Sequence, residues 1–320
     1  MRRLTLLSAM VLGSPPAATA QEIPPYVPAN PLLESRSALY AQPYLVARTG
    51  WQFRFVSDYY NAVEEAQAPA PNPRTSVFDA EVLQADLWVT HDLSPHVLVL
   101  VNLPLRGAYN GFLDGFLNWY HNVIGLAVPA RNDLPTDHFQ WDFRLPDTSI
   151  SRTRPWTFLG DLRAGVGWRR GRAEVIASVT LPTATIGADG WTRHVVGTSL
   201  AVVGDLVRTS RVVADASVST GITPTTGALA RYQRSAFAAG MVTMRWRFAG
   251  QQAVFGGVWA QSSNWRSTGF DAMDDTEVTS DFGFLLHVRP GWPELQLGMT
   301  QDLLPRGPAM DVGFTVGLRW

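Results

Sequence analysis

The chain has 320 residues, of which 46% are apolar and 17% are charged, and its formal net charge is −1. Soluble domains average about 25% charged residues, so the charge content is low, and there is no basic excess to attract nucleic acid. The sequence contains no cysteine, which excludes disulfides, thiolate catalysis and Cys-ligated metal sites. Aromatic residues make up 11% of the chain, which is too many for a disordered polypeptide.

Residues 1–20 have the features of a secretory signal peptide. Arg2 and Arg3 precede a short apolar run over residues 4–13, and Ala18 and Ala20 form a small-x-small cleavage site. No later segment reaches the roughly 18 apolar residues that a membrane helix needs. The chain is therefore predicted to be exported, either as a soluble β protein or as an outer-membrane β-barrel.

Residues 21–49 contain five prolines and no regular apolar period. This segment is predicted to be a periplasmic or lumen-inserted arm ahead of the first strand, with a disordered leader as the alternative. The remainder, residues 50–320, forms the predicted barrel domain.

Alternation of apolar and polar residues is the main signal in residues 50–320. In the last strand Val312, Phe314, Val316, Leu318 and Trp320 share one face, and five further strands show the same pattern, with no charge on any apolar face. A soluble sandwich also alternates, but here the aromatic residues fall into two belts, as expected at the two interfaces of a bilayer. The belts consist of Trp51, Trp168, Trp246 and Trp320 at one end and Tyr59, Tyr60, Trp156, Trp191 and Trp265 at the other. The pattern predicts an all-β fold, a transmembrane antiparallel up-and-down β-barrel.

Short and long connections alternate along the chain, as short periplasmic turns and long outer loops do in such barrels. They define twelve predicted strands, at residues 50–60, 77–90, 96–106, 156–168, 173–182, 195–206, 212–222, 234–248, 253–263, 277–288, 294–303 and 310–320. The second strand is irregular, because Asp79 and Glu81 share a face with Leu83 and Leu87. Either a bulge changes the register, or the upper part of this strand stands clear of lipid.

Residues 107–155 form an outer loop that is unusually long for a plain connection. Apolar residues recur at helical spacing over residues 111–124, which predicts a short amphipathic helix that ends at Gly125. Asp114, Asn118 and His121 form its polar stripe. The helix is expected either to fold into the barrel mouth as a plug, with this stripe facing water, or to lie on the rim.

The same segment carries a family resemblance. Residues 111–126 (GFLDGFLNWYHNVIGL), followed by Pro129 and Arg131, resemble the GGFLD…H…FGLP loop segment of a family of uncharacterised Gram-negative outer-membrane β-barrel proteins. Short elements before and after this loop follow the order of the family: Asn30-Pro31-Leu32, residues 78–81 and 102–105, Gly160-Asp161-Leu162 and Leu181-Pro182-Thr183. The chain departs from the family at Tyr109-Asn110 and at Ile124 with Ala127-Val128. The resemblance implies the barrel fold and a location in the outer membrane, but no activity.

Charged residues on the inward faces are the candidate functional residues. The lumen and constriction candidates are Arg163, Arg245, Arg247, Asp281, His287, Arg289 and Arg319. Glu174, Asp205, Asp215 and Glu294 are also predicted to point inward. Either these charges pair across strands and close the lumen, or an arginine ring lines an aqueous path that favours anions.

The preferred hypothesis is a narrow channel or transporter for small solutes, or for hydrophobic solutes that enter from the outer leaflet. A surface hydrolase that uses His121, Asp133, Asp137 and His138 of the long loop is one alternative, and a structural anchoring barrel is another. The expected partners are outer-membrane lipid, lipopolysaccharide and, during insertion, the barrel assembly machinery. No cofactor, metal or nucleic acid is expected.

Overall fold

The computed structural model describes residues 50–68, 74–125, 134–185, 192–304 and 312–320. The predicted signal peptide and the predicted arm, residues 1–49, lie outside this part of the chain. Asp133 and Trp191 also lie outside it.

The described residues form a closed antiparallel barrel with twelve wall positions. The strands are β1 Trp51–Ala68, β2 Arg74–Ser94, β3 Val97–Tyr109, β4 Gln140–Leu145, β5 Thr148–Arg152, β6 Trp156–Leu159, β7 Arg163–Arg170, β8 Ala173–Thr180, β9 Gly197–Arg208, β10 Val212–Ile222, β11 Ala236–Ala249, β12 Gln252–Gln261, β13 Glu277–Leu286, β14 Glu294–Asp302 and β15 Val312–Arg319. β6 and β7 both pair with β3 and together form the fourth wall position, whereas β4 and β5 form a hairpin beside β2. The predicted twelve-stranded barrel is confirmed.

β1 and β15 close the barrel in an unbroken antiparallel register from Arg54–Arg319 to Tyr60–Gly313. The N–H of Trp320 donates to the carbonyl of Phe53 at 3.0 Å and extends this seam by one further bond. We refer to the end with the short turns as the inner end and to the end with the long loops as the outer end.

The outward faces of the wall strands are apolar and exposed. Val218 on β10 is 64% exposed, Phe284 on β13 is 51% exposed and Val316 on β15 is 48% exposed. Burying such side chains is worth about 1.5–3 kcal/mol each, so a surface of this kind all round a barrel is stable only in an apolar solvent. The outward face therefore fits the hydrocarbon layer of a membrane.

The structure differs from the predicted elements at the outer end of β1 and β2. Residues 61–68 and 74–76 were predicted as loop, but they continue the β1–β2 ladder up to the Ala68–Arg74 pair. The register of β1 and β2 has no shift, so the bulge suggested for β2 is absent there, and Asp79 and Glu81 remain on the outward face. Both are nevertheless buried, at 2% and 0% exposure, because another part of the chain covers them.

Two α-helices are present in the described residues, α1 Asp114–Ile124 and α2 Asp271–Asp274, together with a single 3-10 turn at Ala230–Tyr232. α1 ends at Gly125, which has a φ of +72°, a conformation that glycine adopts without steric cost. In the described part of the chain, neither helix is long and apolar enough to cross a membrane.

The interior of the barrel is only partly polar. An apolar cluster lies on its inward face between β2 and β9, formed by Trp88, Leu98, Leu100, Ile176, Ala201 and Val203. Phe237 and Trp259 form a second cluster further along the wall, and Ala253, Phe255 and Leu285 form a third. These side chains fill part of the lumen, so any path through it is narrow.

Candidate functional site

The β4–β5 hairpin, residues 140–152, lies across the outer mouth of the barrel, and we call it the lid. β4 pairs with β2 from Thr75–Arg144 to Asp79–Gln140, beyond the point where the pairing of β2 with β3 ends at Glu81. The other end of the lid contacts the loops after β10 and β12. These loops are roughly half-way round the barrel from β2. At the outer mouth the structure therefore has residues 140–152 and not the helix.

An aromatic cluster holds the lid against the barrel. Phe143 of the lid lies 5.8 Å from Trp265 and 6.0 Å from Phe270, and Trp141 stacks on Trp156 of β6 at 5.8 Å, measured between ring centroids. The cluster also contains inward side chains of β1, β2 and β3. Its buried members are Tyr60, Ala62, Phe78, Ala80, Val82, Ala108, Phe139, Trp141, Phe143, Leu145, Ile150, Trp156, Phe158, Leu229, Tyr232, Trp265, Phe270 and Met273. The outer mouth is closed by hydrophobic packing.

The tip of the lid makes polar contacts with the opposite loop. Asp147 lies in the tight turn between β4 and β5, and its Oδ1 is 2.5 Å from Nη2 of Arg231. The hydroxyl of Tyr232 donates to the same oxygen at 2.7 Å. Arg231 and Asp147 are 56% and 41% exposed, so this latch is in contact with water and is far weaker than the aromatic packing behind it.

α1 lies on the outside of the barrel wall, not in the mouth. Leu113 and Leu117 pack on Val312 of β15, together with Tyr59 of β1 and Met299 of β14, all outward positions. The helix therefore crosses the β1–β15 seam.

The polar stripe of α1 also differs from the expectation. Nδ2 of Asn61 donates to Oδ1 of Asp114 at 2.8 Å, and the N–H of Asp137 donates to Oδ2 of Asp114 at 2.7 Å. Asp114 and His121 are 5% and 6% exposed. Asn118 is partly buried and lines a small cavity with Asp79 and Asp114. The stripe faces the wall and not water, because the outward face of β1 and β2 is polar at this height.

Glu81 anchors the start of α1. Its carboxylate accepts a hydrogen bond from the N–H of Leu113, one of the helix-start donors that lack a partner within the helix. Gly111 makes this approach possible, because a Cβ there would lie 2.0 Å from Oε1 of Glu81. Of the two acidic residues that made β2 irregular in the sequence, Glu81 thus docks the start of the helix, and Asp79 lines the same small cavity as Asp114 and Asn118.

Replacing Glu81 with alanine is expected to loosen α1, because the buried N–H of Leu113 then lacks an acceptor, at a cost of about 1–3 kcal/mol. Chymotrypsin should cleave the folded variant faster within α1, at Phe116, Trp119 or Tyr120. Glu65→Ala, a partly exposed carboxylate on the same β1–β2 hairpin, should leave the rate unchanged. Equal cleavage of both variants would contradict this role of Glu81.

Arginines collect near the inner end on the β11–β1 side of the lumen. Glu294 lies between Arg319, whose Nη2 is 3.0 Å from Oε1, and Arg245, whose Nη2 is 3.5 Å from Oε2. Nε2 of His287 is 3.6 Å from the same Oε2. Arg54, paired in register with Arg319, donates to Oε1 of Gln296 at 2.6 Å. Three of the predicted lumen residues, Arg245, His287 and Arg319, therefore meet at one carboxylate.

The opposite half of the inner end carries more acid than base. Arg169 forms ion pairs with Asp92 at 2.9 Å and Glu174 at 2.7 Å. Arg208 pairs with Asp205 at 2.7 Å, and Asp215 stands opposite Asp205 in the β9–β10 register. At the inner end, an acidic half of the wall therefore faces an arginine-rich half across the lumen.

The remaining predicted lumen residues lie apart from Glu294. Arg247 is partly buried on β11 and Arg289 is exposed beyond β13; neither has an acidic partner among the described residues. Arg163 is 5% exposed and lies further from the inner end, opposite Asn102 of β3. Asp281 lies at mid-height with Asp58, and each approaches a threonine hydroxyl: Thr300 at 3.5 Å and Thr315 at 2.5 Å.

The residues proposed for a hydrolase do not assemble into a catalytic site in the described part of the chain. His121 is buried between α1 and the wall, and Nδ1 of His138 lies 3.7 Å from Asp79 on the outside of the barrel. No group of three or more His, Asp or Glu residues within the described ranges has the geometry to hold a metal ion.

Sequence reasoning missed the lid and its latch. The β4 sequence QWDFRL alternates only briefly, and a run of six residues is too short to separate from loop. The Pro146-Asp147 pair is a turn signal that could have identified the hairpin.

No family model matches the chain, and no curated protein matches it. Among solved structures, the COG4313 outer membrane channel from Pseudomonas putida F1 is similar, with a TM-score of 0.56, 13% identity and coverage of 88% of this chain and 99% of that chain. The two chains share a fold. The Pseudomonas putida toluene transporter TodX matches with a TM-score of 0.41 and 10% identity over 89% of this chain and 94% of its own. The translocator domain of the autotransporter NalP from Neisseria meningitidis matches with a TM-score of 0.43 and 8% identity over 85% of this chain and 88% of its own.

Proposed function

We propose that the protein is a narrow outer-membrane channel for small polar solutes, closed at its outer end by the lid. The observation that carries the proposal is the closed twelve-stranded barrel with an exposed apolar outside and hydroxyl side chains on the inward faces of β8, β9 and β10. Ser178 and Ser199 are register partners on β8 and β9, and Ser217 and Ser219 follow one another on the inward face of β10. Hydroxyl groups of this kind can replace part of the hydration shell of a polar solute.

Channel geometry supports a narrow path and not an open pore. Twelve strands enclose less space than the 16–18 strands of open porins, and apolar clusters occupy part of that space. At the inner end a solute passes between an arginine-rich and an acidic half, which favours small molecules that carry both donor and acceptor groups. Because Arg245 and Arg319 pair with Glu294, their positive potential in the lumen is weaker than that of an unpaired arginine ring that would favour anions.

The full chain, purified and inserted into planar lipid bilayers, is expected to give small and infrequent conductance steps, because the lid closes the outer mouth for most of the time. Liposomes that contain the protein should swell in small sugars or amino acids and not in larger oligosaccharides. Bilayers that stay silent over a range of voltages and salts, together with liposomes that do not swell, would overturn the channel proposal.

A further inference from the structure

We propose that α1 is a lipid-contacting helix, which places a stripe of large apolar side chains among the acyl chains of the outer leaflet. This inference rests on the membrane location proposed above. It concerns a surface of the protein that the channel itself does not use.

One face of α1 is apolar and uncovered. Phe116 is 43% exposed, Trp119 59% and Val123 65%, and Phe112, two residues before the helix begins, is 72% exposed. At 100° per residue Phe116, Trp119 and Val123 lie within about 60° of one another around the helix axis. They point away from Leu113, Leu117 and His121, which face the wall. The helix is thus apolar on the side where an extramembranous helix would be polar.

The apolar stripe of α1 is continuous with the lipid-facing surface of the barrel. The ring of Phe116 lies 6.0 Å from that of Phe314, an outward residue of β15, and Phe112 stacks on Tyr59 of β1 at 5.5 Å. Phe314, Val316 and Leu318 continue the same face toward the inner end. No step in polarity separates the helix from the strands below it.

The height of α1 on the wall fits the outer interface of a bilayer. From Trp51 to Tyr59, β1 climbs about 20 Å along the barrel axis, given about 3.3 Å per residue and a tilt near 40°. The apolar band of such barrels is about 25 Å tall and ends in aromatic girdles. α1 therefore provides the outer girdle at this position, where aromatic rings are most favourable.

The flank of α1 beside the apolar stripe is polar. Asn122 is exposed and lies a little over a quarter turn from Val123. A helix that lies in the interface has such an arrangement, with one side in the acyl region and the adjoining side in water. The helix also covers the outward carboxylates of Asp79 and Glu81, which could not face hydrocarbon without cost.

The absence of native cysteine allows a direct test with single nitroxide labels. Val123→Cys is the test site, Asn122→Cys is the matched control on the same helix, and Val218→Cys on β10 is the lipid-facing reference. The full chain is reconstituted in phosphatidylcholine vesicles, and collision rates of each label with oxygen, which concentrates in the bilayer, and with a water-soluble nickel chelate are measured.

Positions 123 and 218 should collide more often with oxygen than with nickel, and position 122 should show the reverse. If 218 reports lipid while 123 reports water, the inference fails and the membrane barrel stands. If 123 is protected from both reagents, a protein surface such as a second copy covers the stripe, and the inference is wrong. If 218 itself reports water, the membrane location fails.

Discussion

Replacing Glu294 with glutamine is expected to destabilise the barrel by about 3–5 kcal/mol, the largest effect of any single change considered in the lumen. Arg245 is 2% exposed and Arg319 13% exposed, so both are largely buried when they lose their shared counter-charge. Folded barrels migrate faster than unfolded ones in gels of unheated samples. The variant should lose this fast-migrating form at a clearly lower urea concentration or temperature.

Glu277→Gln provides the matched control. Glu277 is as buried as Glu294, but its carboxylate oxygens have no hydrogen-bond partner among the described residues. Glutamine has nearly the same size and its introduction breaks no ion pair, so the stability of this variant should be close to that of the unmodified protein. The double variant Glu294→Gln with Arg245→Met should recover part of the loss. If Glu294→Gln and Glu277→Gln have equal stability, the inner arginines do not depend on Glu294.

Replacing Asp147 with alanine is expected to increase the fraction of time that the channel conducts by about fivefold, which corresponds to about 1 kcal/mol. The change removes the contacts of the lid tip with Arg231 and Tyr232, while the aromatic cluster behind it stays intact. The lid should therefore open more often without unfolding. Single-channel recordings in planar bilayers measure this fraction directly.

Asp271→Ala removes the same charge from an exposed position of the outer loops and should leave the open fraction at the level of the unmodified protein. Tyr232→Phe removes only one of the two contacts and should have an intermediate effect. An Asp147→Ala channel indistinguishable from the Asp271→Ala channel would show that the latch does not control opening.

The barrel could be predicted from the sequence because lipid imposes a strict rule on each strand. Every second residue must be apolar over the whole height of the membrane, and the last strand from Val312 to Leu318 shows this without exception. The register of β2 could not be predicted in the same way. Asp79 and Glu81 break the pattern because they face a helix segment of the same chain, and that contact joins residues far apart in sequence.

The lumen was predictable in part. Alternation was sufficient to assign Arg245, Asp281 and Arg319 to the inward face, and the structure has all three there. Alternation does not predict which charges meet. Glu294 on β14 contacts Arg319 on β15 and Arg245 on β11, and these contacts depend on how the wall curves around the lumen. Alternation also cannot show that inward positions such as Leu98 and Ile176 fill the lumen, since a small polar residue would fit the same register.

The position of α1 across the closing seam has a consequence for the order of assembly. The bond between Asp58 and Thr315 joins residues 257 positions apart, so the two ends of the chain must meet before this seam exists. α1 packs on β1, β15 and β14 together, and its complete docking surface forms only at that moment. We therefore expect α1 to dock last, so that protection of its backbone from proteolysis reports the completion of folding.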